Sequence, residues 1–285
     1  MLAMWVADVT QAADIVVTSP DGSLKMTMQT EGRLTYSLSM GDVQLIAPSP
    51  MGFELKDEAP MADGFELVGP TVVKAGSDHW RPVVKNRHEE VSLAWNETTL
   101  CLVERGGDGR RMDVEVRVYD GGAAFRYTLY GAPRIGDRKI TRELTSFNIA
   151  PTSSAWAAIY NPDYTSSQES HFWKTSATEL SKERVMGLPF LVEIDKSHYV
   201  AITEACINDF ASFYIGRNED TDDGYIHLST RLSPLPGEPA DGVKTCFDEQ
   251  TTSPWRLVLA NDNPGRFIES EIIQGHILDW LWVRI

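Results

Sequence analysis

Cysteine is scarce in this 285-residue chain: only Cys101, Cys206 and Cys246 are present, far apart and odd in number. That excludes a disulfide framework and the paired spacing of a zinc site, and the three read as small buried hydrophobes. No stretch approaches the roughly 18–20 apolar residues that cross a bilayer as a helix, so no membrane span is predicted. Positive charge is short as well. Lys plus Arg number 26 against 41 Asp plus Glu, a formal net charge of -15 whose field repels nucleic acid and anionic membranes and favours a neutral ligand or a cation. Motifs of the common enzyme classes are missing: there is no G-x-S-x-G elbow, H-E-x-x-H pair, Walker loop or G-x-G-x-x-G after a strand. Internal repeats and low-complexity tracts are absent too, and helix signals are few.

What is present is an ordinary globular composition, 42% apolar and 24% charged, able to bury a sizeable core. Its patterning is period two. Leu24, Met26 and Met28 alternate with Lys25, Thr27 and Gln29, and Leu34, Tyr36, Leu38 and Met40 alternate with Thr and Ser, which predicts two half-buried strands around the turn at 31–33. Gly41 and Asp42 then turn the chain into residues 43–46. The same grammar predicts strands at 91–95, 99–103, 114–118, 125–129, 190–194, 199–203, 212–215, 225–228 and 255–259, with turns at 106–109 and 120–122 and a long loop at 233–242. Many short strands spaced by turns predict an all-β protein of two packed antiparallel sheets. Residues 268, 272, 277 and 281 have near-helical apolar spacing, but Gly275 and the β-formers at 280–283 leave that segment open.

Candidate chemistry is sparse. The six histidines are scattered, and a lone His in a β protein is usually structural or exposed. The acidic run at 218–224 has Asp where a calcium loop needs its turn Gly and lacks the closing Glu, so it reads as a solvated turn. A sequon at 96–98 is a common chance match. Between Trp156 and Trp173, Tyr160, Tyr164, Phe172 and Trp173 surround Asp163, Gln168 and Glu169. Aromatic faces complement the C–H faces of a pyranose and a carboxylate can hold a hard cation, yet on composition these rings read as core and Glu169 as one exposed acid among many.

Several segments, taken in order, resemble the amino-terminal domain of glycoside hydrolase family 97, bacterial α-glucosidases and α-galactosidases. They are Ser-Pro-Asp-Gly at 19–22, Gly-Arg-Leu-Thr-Tyr at 32–36, Pro-Ser-Pro-Met-Gly at 48–52, His-Trp-Arg-Pro-Val at 79–83, and the strand and turn at 116–124 before Phe125, Arg126 and Tyr127. Ala-Ile-Thr-Glu-Ala at 201–205 with Asp209 and Phe210, then Thr-Ser-Pro-Trp-Arg at 252–256 with Glu269 and Ser270, complete the series.

The resemblance implies a β-super-sandwich of two large antiparallel sheets, galactose mutarotase-like, over residues 15–270. Residues 1–14 are set aside as an export-signal remnant or disordered start, implying a periplasmic or secreted protein, and 271–285 as a divergent tail. In the family this domain is non-catalytic and packs on a (β/α)8 barrel that carries the catalytic carboxylates. A Ca2+ at the junction takes barrel glutamates plus one sandwich glutamate, in a segment matching residues 162–169 here, which makes Glu169 the expected metal ligand. The implied function is that of the amino-terminal domain of a calcium-dependent α-glycosidase, inactive alone, with an α-glycoside and a separate catalytic barrel as partners. The chain departs from the family after Val83 and again after Ser270. The alternative is a stand-alone carbohydrate-binding or aldose 1-epimerase-like sandwich, which needs a general acid and base, with His88 and His171 as candidate histidines.

Overall fold

The computed structural model describes residues 14–82, 85–106, 109–131 and 138–278. The 1–13 part of the export-signal reading, the centre of the 106–109 turn and residues 279–285 of the tail lie outside them.

Two large antiparallel sheets form the body. The first runs, neighbour to neighbour, through Ile15–Thr18, Leu24–Gln29, Thr35–Met40, Val43–Pro50, Ser146–Ile149, Ile226–Leu232, Phe213–Arg217, Val185–Met186 and Ser154–Tyr160. The second runs through Lys74–Trp80, Val91–Glu104, Arg111–Tyr119, Gly122–Tyr130, Trp255–Asn261, His198–Ala205, Phe190–Asp195, Ser154–Tyr160 and Phe172–Ser176. Ser154–Tyr160 belongs to both: residues 154–156 pair with Phe190–Asp195, while Ile159 and Tyr160 pair with Met186 and Val185. A small sheet of Thr245–Phe247, Arg138–Glu143 and Phe53–Leu55 closes one end.

Period two becomes packing in the outer strands. Leu24, Met26 and Met28 are buried while Lys25 and Gln29 face water, so each residue's parity sets its face. Gly32 and Gly41 take left-handed φ values of 70° and 54° and turn the chain where expected. Between the sheets lies one apolar core, with Tyr36 and Phe125 rings 4.9 Å apart and Phe53 edge-on to Tyr127 at 4.9 Å.

A second apolar layer covers the outer face of the second sheet. Tyr119, Ala201, Trp255, Leu257 and Leu259 pack there beneath Phe267 and the helix Ile272–Leu278, whose Ile272 is buried. Trp255–Asn261 is therefore buried on both faces and shows no alternation. Among the described residues no helix is long and apolar enough to cross a membrane.

Two expectations need correction. The strands read at 91–95 and 99–103 are one strand, Val91–Glu104. Its polar middle stays extended because Asn96 donates to the Thr18 carbonyl at 2.9 Å and Glu97 accepts from Arg117 at 3.0 Å. The cysteines are not fully buried hydrophobes: Cys101 and Cys206 are half-buried and Cys246 is exposed, since they sit on peripheral strands and at a strand exit.

Candidate functional site

The loop between Ser154–Tyr160 and Phe172–Ser176 carries Glu169. Its base is held by local bonds: Asn161 N–H donates to Ser166 Oγ at 2.8 Å, and Asp163 Oδ1 accepts from both Thr165 Oγ1 at 2.7 Å and Thr165 N–H at 3.2 Å. These Thr165 bonds hold the Asp163 carboxyl below its ordinary range. Tyr164 takes a left-handed φ of 61°, which lays its ring against Tyr214, with centroids 5.3 Å apart. Tyr214 also meets Tyr160 at 6.1 Å and accepts a hydrogen bond from Gln168 Nε2 at 2.8 Å.

Glu169 follows that anchor directly. It is exposed, and no described residue bonds its carboxylate. Beyond it the edge strand shows Phe172 and Trp173 to water, 52% and 65% exposed. That corrects the reading of these rings as core. Tyr160 is buried, but Phe172 and Trp173 lie on a strand with no neighbour on its far side among the described residues, so nothing covers them.

Calcium takes 6–8 oxygen ligands, and a single Glu supplies at most two. No group of three or more His, Cys, Asp or Glu side chains could hold a metal among the described residues. Glu169 therefore fits the part of one contributed ligand and does not make a complete site. His88 and His171 are both exposed, and neither lies within salt-bridge distance of a described carboxylate. The acidic run at 218–224 is used internally: Asp223 Oδ1 accepts from Thr221 Oγ1 at 2.7 Å and lies 2.9 Å from His227 Nε2.

A second constellation escaped the sequence reading. Arg256 is fully buried; its Nε donates to Glu143 Oε1 at 3.0 Å, Nη2 to Glu143 Oε2 at 2.5 Å and Nη1 to Glu204 Oε2 at 2.7 Å. Glu204 also accepts the Phe213 N–H at 3.2 Å, and the guanidinium lies over the Phe213 ring at 4.7 Å. Burial raises the Glu204 carboxyl above its ordinary range, with Arg256 opposing. On the opposite face of the sheet, Trp255 stacks under Arg117 and Arg126 at 4.8 and 4.4 Å, and these pair with Glu97 and Glu115.

The motifs that carried the family resemblance meet here. Glu204 of the 201–205 segment lies opposite Arg256 of the 252–256 segment, and Arg256 lies opposite Phe125. They hold the centre of a sheet together; they are not a catalytic set. The signal that could have found the cluster is a charged residue on an otherwise apolar strand, as at Arg256 within Trp255–Asn261.

Two large antiparallel sheets sharing one strand define an all-β super-sandwich domain. The glycosyl-hydrolase 97 N-terminal model matches residues 17–275, and the chain belongs to that family. It is 30% identical over 265 residues to a probable retaining alpha-galactosidase of Streptomyces bingchenggensis, covering 90% of this chain and 37% of that protein. It is 25% identical over 261 residues to a retaining alpha-galactosidase of Bacteroides thetaiotaomicron, covering 85% of this chain and 38% of that protein. A glycoside hydrolase family 97 enzyme from Pseudoalteromonas sp. strain K8, solved in complex with panose, superposes with a TM-score of 0.77 at 22% identity, over 92% of this chain and 38% of that one. This chain thus spans under two fifths of the length of these relatives.

Proposed function

We propose that this domain is the non-catalytic amino-terminal part of a calcium-dependent α-glycosidase, in which Glu169 gives one carboxylate to a Ca2+ whose remaining ligands come from a (β/α)8 catalytic domain. The observation that carries the reading is the place of Glu169: exposed, bonded by no described residue, and one residue beyond a Gln168 that is fixed on Tyr214. The exposed Phe172 and Trp173 beside it give an apolar edge that a neighbouring domain would cover.

In such an assembly the bound cation would supply charge neutralisation among crowded carboxylates. The role of this chain is to hold one ligand at a fixed height above the sheet edge. The two relatives named above are a retaining and a probable retaining alpha-galactosidase, so an aryl α-galactoside is the first substrate to try, with an aryl α-glucoside beside it. The chain alone should turn over neither. Adding a separately produced family barrel should restore calcium-dependent hydrolysis, and Glu169→Gln should reduce that calcium dependence about tenfold or more, in the range seen when a metal's supporting groups are removed. Equal activity and equal calcium dependence with Glu169→Gln would refute the assignment.

A further inference from the structure

Arg231 lies on the outer face of Ile226–Leu232, with its side chain across Gly216 of the neighbouring strand. A Cβ at Gly216 would stand 2.6 Å from Arg231 Nε, so only glycine leaves it room. Its Nη2 donates to Asn218 Oδ1 at 2.7 Å, and Nη1 to Ser229 Oγ and to the Thr230 carbonyl at 3.2 Å. All these acceptors are neutral.

Arg231 is half-buried, whereas the buried arginines among the described residues all have carboxylates: Arg110 has Glu58 and Glu104, Arg138 has Glu58, Arg217 has Asp220, and Arg256 has Glu143 and Glu204. Arg231 has none within salt-bridge distance among the described residues. Burial pushes its guanidinium pKa down, and the charge of Arg142 pushes it further. Arg142 itself is exposed and 3.3 Å from Glu54.

Lys244 is a further cation, beside Tyr164. It is buried, its Nζ donates to the Ala240 carbonyl, and it lies 5.7 Å from the Tyr164 ring centroid. Burial lowers its pKa, with Asp241 opposing, and it too lacks a carboxylate partner within salt-bridge distance among the described residues. Tyr164 is within electrostatic reach of Arg231 and packs on Tyr214. A chain of net charge -15 thus keeps Arg231 and Lys244 without ion-pair partners among the described residues, on either side of Tyr164, whose ring packs on Tyr214.

We propose that this niche binds the carboxylate of an acidic saccharide, a hexuronate end. Arg231 pairs with the carboxylate through N–H groups not committed to the protein, Arg142 and Lys244 flank it, and the Tyr164 and Tyr214 rings face the sugar. A guanidinium offers five N–H donors in a planar fork suited to a carboxylate, and a ring face suits the C–H side of a pyranose. A neutral hexose would leave Arg231 without a carboxylate partner. The proposal draws on family membership for the saccharide and not on the calcium reading, so it is tested without the metal.

The experiment is titration calorimetry of the full chain in EDTA with methyl α-glucuronide, with methyl α-glucoside and sulfate as comparisons, at low and high salt. Glucuronide should bind at least tenfold more tightly than either comparison and weaken as salt rises. Arg231→Gln should weaken it tenfold or more, and Arg142→Gln, at an exposed position that leaves the fold intact, severalfold. No glucuronide binding, equal binding of the neutral glucoside, or no effect of Arg142→Gln would overturn the proposal. Equal binding of sulfate would reduce the niche to a simple anion site and overturn the saccharide assignment. A thermal melt of Arg231→Gln separates lost binding from lost folding.

Discussion

Arg256 is the residue on which the second sheet's centre depends electrostatically. Two carboxylates share one guanidinium in a fully buried setting, so the cluster carries excess negative charge away from water. Removing the cation leaves Glu143 and Glu204 buried and uncompensated. Arg256→Met should cost about 3–5 kcal/mol, read from urea unfolding at neutral pH. Adding Glu204→Gln to that variant should recover part of the loss, because the added change removes one stranded charge; no recovery would count against the shared-charge picture. Glu204 alone makes a pH prediction. Its carboxyl titrates above the ordinary 4.5, so the folded chain holds that proton more tightly than the unfolded chain does. The stability it contributes is full below 4.5 and is lost as pH rises through the raised value. Glu204→Gln keeps an acceptor for Arg256 but cannot ionise, so its stability should fall less than the parent's between pH 4.5 and neutrality. Parallel curves would show that Glu204 does not titrate there. In the sequence only Arg256, a charge on an otherwise apolar strand, hints at this cluster; its partner Glu143 lies over a hundred residues away, and nothing local joins them.

At the scale of elements, strands with alternating or concentrated apolar β-formers were legible, and those without them were not. Leu24–Gln29 and Arg111–Tyr119 show parity because one face meets water. Ser154–Tyr160, rich in alanine, and Arg138–Glu143, rich in charge, passed unread because pairing partners and not propensity make them strands. The helix Ile272–Leu278 was left open because Gly275 weakens it. The structure gives Gly275 a reason: a Cβ there would stand 2.6 Å from Leu93 Cδ2, so the glycine lets the helix approach the sheet. That approach buries His276 on Trp255 at 4.4 Å, with Nε2 3.1 Å from Tyr119 Oη. Burial first, then Arg117 and Arg126, push its pKa well below 6.5. The neutral ring fits; the cation would face two arginines, whose charges are only partly offset by Glu97 and Glu115. Stability from this contact is present above pH 6.5 and is lost as pH falls through the lowered value. Amide exchange of residues 272–278 should therefore accelerate in acid relative to the strands beneath. His276→Phe should abolish the acid-specific part, and acceleration of equal size in that variant would place its origin elsewhere.

For the whole molecule, composition and alternation were enough to read two antiparallel sheets, but not their connection. Long-range pairs such as Phe147 with Leu228 leave no local trace. The consequential feature is the shared strand Ser154–Tyr160, whose first half is bonded into one sheet and whose second half into the other. Ala155 and Ala157 within it are buried in the common core, so neither sheet can open there without exposing the other. Cooperative unfolding follows from that linkage, even though a chain of this length has room for two units. The described tryptophans give a test, because Trp80, Trp95, Trp156, Trp173 and Trp255 all lie on strands of the second sheet. With Trp5, Trp280 and Trp282 replaced by Phe, tryptophan fluorescence therefore reports that sheet, while far-ultraviolet circular dichroism reports both. In urea the two signals should give one coincident midpoint. Separated midpoints would mean that the first sheet survives or fails by itself, and that the shared strand is a seam between two units instead of the tie that makes them one.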